Sequence, residues 1–448
     1  MLREAWTLAI EALSWMEMQK LNERSAITRT IKQLNISDAN SVRLANIFVY
    51  ETTRRRNFID AFINKALKPK TLDQFSLGVQ AFLRLYVYQT RIAKNWTRVD
   101  LKEAESIIKL ARAILGWKTL HKAESVFGVL LTQKPEAILR NVTDEERFGL
   151  LTFHPSWFVK YCFQLFGRHE AIAMLEANEQ PPPAYVRLNT LKAKEKESAE
   201  KLAAEGITLE KVEHLPHVYE IVKASRTLTS TECFKEGLFA IEDKASCFAV
   251  ETADPKPRAV VIDVCASHGA KTTHLAQLMR NRGVVYSVDY SGSKMSMLKA
   301  EITRTGVEVA QPIIADARDL SFLGADADVV MLTAPSTKTG TFGATPSAKW
   351  KVTSRYVDRM SEIQWSLISS VAEKVKPKGT LMYSTNSITV EENEKLIERF
   401  LKRNPDFSLS GITPKIGSPG LRGMGKCQRL YPHLHRCNGS FIAKLQRE

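Results

Sequence analysis

No two cysteines in this chain stand at CxxC spacing. The 6 that occur, Cys162, Cys233, Cys247, Cys265, Cys427 and Cys437, are scattered over 448 residues. That pattern argues against a zinc site and still more against a disulfide framework, so no metal is expected. No run approaches the roughly 18 apolar residues of a membrane-spanning helix, and no charged-then-apolar leader opens the chain. A reducing cytoplasm is the expected compartment, with no membrane partner. Proline is nearly absent before Pro135, which leaves that stretch free to be helical. Acidic charge is in deficit too: 64 lysines and arginines against 49 aspartates and glutamates give a net +15. Such an excess suits a partner carrying many phosphates, because each contact releases counterions, although a merely basic soluble protein would show the same balance.

At 44% hydrophobic and 25% charged, the chain can bury ordinary cores and is expected to hold two or three domains. Residues 1–145 read as one helical bundle. Leu72, Phe75, Val79, Phe82, Leu83 and Tyr86 recur at helix spacing, as do Phe58, Ile59, Phe62 and Ile63. Arg54-Arg55-Arg56 lies on that bundle, either as a solvated helix face or as an RNA contact. Residues 150–240 read as a small α+β subdomain. There Gln180-Pro181-Pro182-Pro183 forces an extended stretch, and Tyr185 to Leu191 alternates as a strand does. Residues 241–448 change to apolar strand, turn and helix, repeated: Val260–Val264, Val284–Asp289, Ile313–Asp316, Ala327–Leu332 and Gly379–Ser384. That alternation predicts an α/β domain with a largely parallel sheet, covered on both faces, whose ligand sits at the carboxyl ends of the strands.

Six stretches then point to a family. They are His154-Pro155-Ser156-Trp157; Arg187-Leu188-Asn189-Thr190-Leu191; Ile241-Glu242-Asp243-Lys244-Ala245-Ser246; Asp263 to Thr273; Tyr383 to Glu394; and Arg429-Leu430-Tyr431-Pro432-His433. In this order they resemble the Sun/Fmu (Nol/Nop/Sun) RNA cytosine-carbon-5 methyltransferases, in the subgroup whose catalytic part follows a NusB-like helical domain. The resemblance implies a Rossmann-like fold that uses S-adenosylmethionine. It implies that Cys265, Ala266, His268, Gly269 and Lys271 cradle the cofactor, with Lys294 nearby. Asp289 would hold the ribose hydroxyls and Asp316 the adenine amine. It further implies RNA contacts, to ribosomal or transfer RNA, from Arg187, Asn189, Lys338, Arg429 and His433, and a NusB-like domain that binds RNA or a protein.

The chain departs from the family pattern where the chemistry is done. Methylating carbon 5 of cytosine needs a nucleophile to add at carbon 6, a task suited to a thiolate. The family's nucleophilic cysteine is Asn386 here, and its second cysteine, which assists product release, is Ser336. The aspartate that would bond the base is Thr333, and the glycine two residues beyond Ser336 is Lys338. The cofactor loop reads His268-Gly269-Ala270-Lys271 where the family has Pro-Gly-Gly-Lys. Ser336 has no acid or histidine within its own loop to activate it, and Cys265 is expected to face strand packing. The favoured expectation is an RNA-binding member without catalysis, an rRNA-binding or ribosome-assembly factor. An active S-adenosylmethionine-dependent RNA methyltransferase and a regulatory partner of an active paralogue are the alternatives.

Overall fold

A computed structural model describes residues 2–96, 99–324 and 326–448. The chain divides into two units, one of Met1–Glu179 with Thr345–Lys351, the other of Gln180–Ala344 with Val352–Glu448.

The first unit is helical. Its core gathers Trp6, Phe48, Phe62, Phe82 and Tyr86, and the predicted stripe Phe58, Ile59, Phe62, Ile63 lies buried on helix Arg56–Leu67. The helices reach well past residue 145, the expected limit. Asn57 Nδ2 donates to the carbonyls of Gly149 (2.7 Å) and His154 (3.1 Å), and Arg54 Nη1 donates to the carbonyl of Asn178 (3.1 Å). Buried carbonyls need donors, and these side chains tie the later helices to the bundle. Segment 345–351 joins the same unit. The Ser347 amide and hydroxyl donate to the buried Glu23 carboxylate (2.6 and 2.8 Å), Trp350 Nε1 to Thr53 O (2.7 Å) and Lys349 Nζ to Phe153 O (3.0 Å). Among the described residues no helix is long and apolar enough to cross a membrane.

The second unit holds two sheets. Strands β1 (Tyr185–Leu188), β2 (Ile207–Lys211), β3 (Val218–Ala224) and β4 (Phe239–Ile241) form an antiparallel sheet in the order β2-β3-β1-β4. The larger sheet contains β5 (Val260–Val264), β6 (Val284–Asp289), β7 (Ala310–Ile314), β8 (Ala327–Thr333), β9 (Val375–Thr385), β10 (Phe407–Ser410), β11 (Ser418–Pro419), β12 (Gln428–Leu430) and β13 (Ser440–Arg447). Its order is β11-β12-β13-β9-β8-β5-β6-β7, with β10 on β13. Strands β5 to β9 pair in parallel and β13 runs antiparallel to β9. Near-continuous apolar runs such as Val260–Val264 form its centre because both faces are covered. In register, Val264 lies beside Val288 and Leu332, and Thr333 beside Ser384, so the loops leaving β5, β6, β8 and β9 gather at one edge.

Candidate functional site at the carboxyl ends of the parallel strands

Two loops leave adjacent strands here. Residues 334–341 follow β8 and residues 386–393 follow β9. Thr333 ends β8 with its hydroxyl buried and, among the described residues, without a hydrogen-bond partner. Ser336 and Asn386 are half-buried on their loops. The loops are laced together: the Gly340 amide donates to Asn386 O (3.0 Å), the Ile388 amide to Thr339 Oγ1 (3.0 Å), and Thr339 Oγ1 lies 2.9 Å from Ser387 Oγ. The Gly340 carbonyl also accepts from the Gly439 amide (2.7 Å), at an approach so close that a Cβ on Gly340 would stand 2.1 Å from Gly439 O. Only glycine fits there.

The loop after β5 is built for a different task. Cys265 and Gly269 take positive φ (61° and 102°), and a Cβ on Gly269 would press on Leu298 at 3.3 Å. Asp289, buried at the end of β6, accepts from the amides of Ser291 (3.1 Å) and Ser267 (3.4 Å). Ser267 Oγ is buried without a partner among the described residues. Tyr290 and Ile314, at the ends of β6 and β7, are 74% and 59% exposed. Beneath them, burial pushes the Asp263 carboxyl up to about 6, even though Thr272 Oγ1 donates to it at 2.6 Å. Burial, with Asp289 beside it, pushes the Cys265 thiol up to about 12.

Sequence comparison meets this geometry directly. The "Probable ribosomal RNA small subunit methyltransferase B" of Bacillus subtilis is 31% identical over 455 residues, covering 98% of each chain. The profile of the 16S rRNA methyltransferase RsmB/F family matches residues 250–446, its ferredoxin-like domain residues 154–226, and the NusB family residues 3–113. The chain belongs to the RsmB/F family. Among solved structures, the crystal structure of PH0851 matches 99% of both chains at a TM-score of 0.85 and 28% identity. NSun6 from Pyrococcus horikoshii with SFG, an S-adenosylmethionine analogue, covers 65% of this chain and 98% of its own, at a TM-score of 0.61 and 25% identity.

Within this RsmB/F chain, several residues expected to touch RNA are inside the protein. Arg187 is buried, paired with Glu242 at 3.1 Å and bonded to Gln277 and Thr273 Oγ1. Asn189 is buried and donates to the carbonyls of Gly237 and Thr305, both at 2.8 Å. Arg429 is buried, forks onto Glu394 (2.6 and 2.5 Å) and donates to Ile388 O (2.8 Å). Arg54 is buried between Glu51 and Asn178. All four expectations are corrected for one reason: each side chain is buried and bonded to interior acceptors, out of reach of a phosphate. Arg55 and Arg56 are half-buried and paired, Arg55 with Glu51 and Arg56 with Glu17 (2.8 Å).

Lys338 is exposed beside Ser336, with φ at 61°. Although the side chain is solvent-accessible, partial desolvation by the surrounding loop, then Lys294, lowers its pKa. His433 is half-buried, its ring 5.8 Å from that of Tyr431. Lys294 sits over the Tyr290 ring (5.5 Å to the centroid), and Lys271 is half-buried on the first turn of helix Ala270–Leu278. Asp316 is exposed and forked by Arg318.

Sequence reasoning passed over two buried clusters. Ligand atoms of Glu242, Cys247 and His274 lie within 4.8 Å of one another. Arg187 pairs with Glu242 (3.1 Å) and His274 Nε2 lies 3.0 Å from Glu251; burial opposes the Glu242 charge, but His274 and Arg187 outweigh it and hold the carboxyl down at about 2. The other cluster surrounds Glu392, which the sequence singles out only as part of the stretch Tyr383 to Glu394.

Proposed function

We propose that this protein binds ribosomal RNA at the carboxyl edge of its larger sheet, takes S-adenosylmethionine in the cradle around Asp289, and does not methylate cytosine through a cysteine adduct. The observation that carries this reading is the pair of side chains presented by the two laced loops. Ser336 and Asn386 stand where the reacting groups would, and an amide cannot add to carbon 6 of a pyrimidine. The Lys338 amide approaches Ser336 Oγ at 3.4 Å, and no acid or histidine bonds it among the described residues. The Cys265 thiol, pushed up to about 12, holds almost no thiolate at neutral pH.

The cradle suits a nucleoside cofactor. Asp289 has carboxylate lone pairs to offer a diol, the orphaned Ser267 hydroxyl lacks a partner, and Tyr290 and Ile314 expose apolar area that an aromatic ring would cover. When bound, the cofactor supplies an electrophilic methyl group. Thr333 offers a base edge one neutral hydroxyl, without the charge that would favour a protonated ring nitrogen. Lys338, exposed on the same loop, is placed for a phosphate, in keeping with the ribosomal RNA named for the Bacillus subtilis relative and with the net +15. The NusB-like unit is a second candidate surface for RNA or for a protein.

Purified protein incubated with methyl-labelled S-adenosylmethionine and unmodified small-subunit rRNA tests the reading. RNA retained on a filter at moderate salt, with no label in it, is the expected result. Label transferred to RNA would overturn it in favour of an active methyltransferase, the activity its relatives are named for.

A further inference from the structure

Glu392 is fully buried, yet no cationic group pairs with it among the described residues. Its carboxylate instead accepts from five neutral donors: the Thr337 amide (2.9 Å), Thr337 Oγ1 (2.5 Å), Ser387 Oγ (2.5 Å), Thr389 Oγ1 (2.8 Å) and Gln364 Nε2 (2.9 Å). Burying a charge without a counterion is costly, and a site that does so supplies every lone pair with a donor. These donors come from both loops and from helix Ser354–Ala372, and they fall on either side of the two positions that matter. Gln364 Nε2 also donates to Pro335 O (2.8 Å), so Ser336 is held on one flank by Gln364 and on the other by the Glu392 bonds to Thr337. Asn386 is flanked in the same way. Thr385 Oγ1 donates to Asn393 Oδ1 (2.6 Å), Asn393 Nδ2 donates to Ser387 O (2.9 Å), and Ser387 Oγ donates to Glu392. The Tyr383 hydroxyl closes the frame on Glu392 O at 2.6 Å.

We propose that Glu392 is the positioning residue that holds residues 336 and 386 in fixed mutual register, with Gln364 and Asn393 as its outriggers. It touches no ligand, being wholly buried; it acts through the loops. The inference relies on the RNA-binding reading only for what those loops meet. It implies that the frame of a two-residue site is intact in this chain although the residues it presents are a serine and an asparagine.

A thiol placed at the framed position reads this out without RNA. In Ser336→Cys protein the native cysteines are a quiet background, since Cys162, Cys233, Cys247, Cys427 and Cys437 are buried and the Cys265 thiol is pushed up to about 12. Adding Glu392→Gln is expected to speed modification of that thiol by Ellman's reagent about tenfold, the factor one lost buried hydrogen bond supplies. Glu392→Asp, which keeps the charge, should fall between the two. Arg187→Lys, which loosens a different buried pair of the same unit, should lower the melting temperature and leave the rate at residue 336 unchanged. The inference is overturned if Glu392→Gln leaves the rate alone, or if Arg187→Lys raises it equally. Should Glu392→Gln fail to fold, Thr337→Val removes one donor to the carboxylate and is expected to raise the rate in the same direction; an unchanged rate there also overturns it. Filter retention of small-subunit rRNA by the same proteins separates the two claims. Retention lost in Glu392→Gln and partly restored in Glu392→Asp is expected, whereas no retention by the natural protein would remove the RNA-binding reading and leave the thiol result to decide the positioning role.

Discussion

Two halves of one sheet edge have been finished in opposite ways. Around Ser336 and Asn386, hydroxyls, amides and the Glu392 carboxylate bond one another densely, with Thr333 Oγ1 and Gln364 Oε1 left without partners among the described residues. Around Asp289, two strands away from β8, the Ser267 hydroxyl has no partner among the described residues, Asp263 is half satisfied, and Tyr290 and Ile314 stand exposed. A closed polar network specifies one arrangement of its own loops. An edge with orphaned donors and bare apolar side chains is incomplete until something fills it. The difference teaches that keeping a site's geometry and keeping its cysteines are separable: Glu392 laces the two loops together, while the residues they carry at the flanked positions are Ser336 and Asn386.

The comparison breaks most sharply at Arg429, which belongs to the closed half through Glu394 and the Ile388 carbonyl. Arg429→Met would strand the Glu394 carboxylate in the interior, and removing one partner of a buried pair costs about 3–5 kcal/mol. Denaturant unfolding should show a loss of that order. A loss below about 1 kcal/mol would mean that the closed half does not depend on this pair.

The open half responds to pH instead. The Asp263 carboxyl sits at about 6 in the fold against an ordinary 3.8, so the folded chain binds that proton more tightly than the unfolded chain. Its unfavourable ionisation is absent below about 4, grows as pH rises through 6, and reaches about 3 kcal/mol above it. Asp263→Asn should therefore gain stability relative to the natural protein between pH 4.5 and pH 7.5, measured as the difference in unfolding free energy at the two pH values. A difference that does not move with pH would sink the assignment.

Ligand binding tests the same half directly. Asp289→Asn keeps the shape of Asp289 and one of its two amide contacts, since an amide nitrogen cannot accept, and removes the charge a diol would meet. It should weaken S-adenosylmethionine, measured by calorimetry, about 10- to 100-fold, the worth of one or two hydrogen bonds to a charged group. Equal affinity in both proteins would place the ribose elsewhere.

What was legible beforehand follows the range of the interactions. Apolar runs and helix stripes are local, so Val260–Val264, Asp289 at a strand end and the stripe Phe58 to Ile63 lay where their spacing put them. The limits of the helical unit were not legible, because Ser347 reaches Glu23 across 324 residues. The arginines were misread for a related reason. A lone guanidinium in a sequence reads as a surface charge until its partner is known, and the partners of Arg187, Glu242 and Gln277, lie 55 and 90 residues away. Glu392 did not stand out within Tyr383 to Glu394, since its donors Thr337 and Gln364 lie 55 and 28 residues away.

Lys338 offers the smallest effect and the finest division between the halves. It sits within the laced loop in the left-handed region, where a Cβ is disfavoured, yet its side chain is exposed rather than bonded into the frame. Glycine accepts that backbone without penalty, so Lys338→Gly should leave the protein as stable or stabilise it by up to about 1 kcal/mol, the entropy cost of glycine in the unfolded chain offsetting part of the gain. If the lysine is there for a phosphate, the same change should lower the slope of log affinity against log salt for small-subunit rRNA by about 0.7, one single-strand contact, with no loss of melting temperature. Stability and salt dependence would then move independently at one residue. A fall in melting temperature without a change in slope would instead make Lys338 part of the frame.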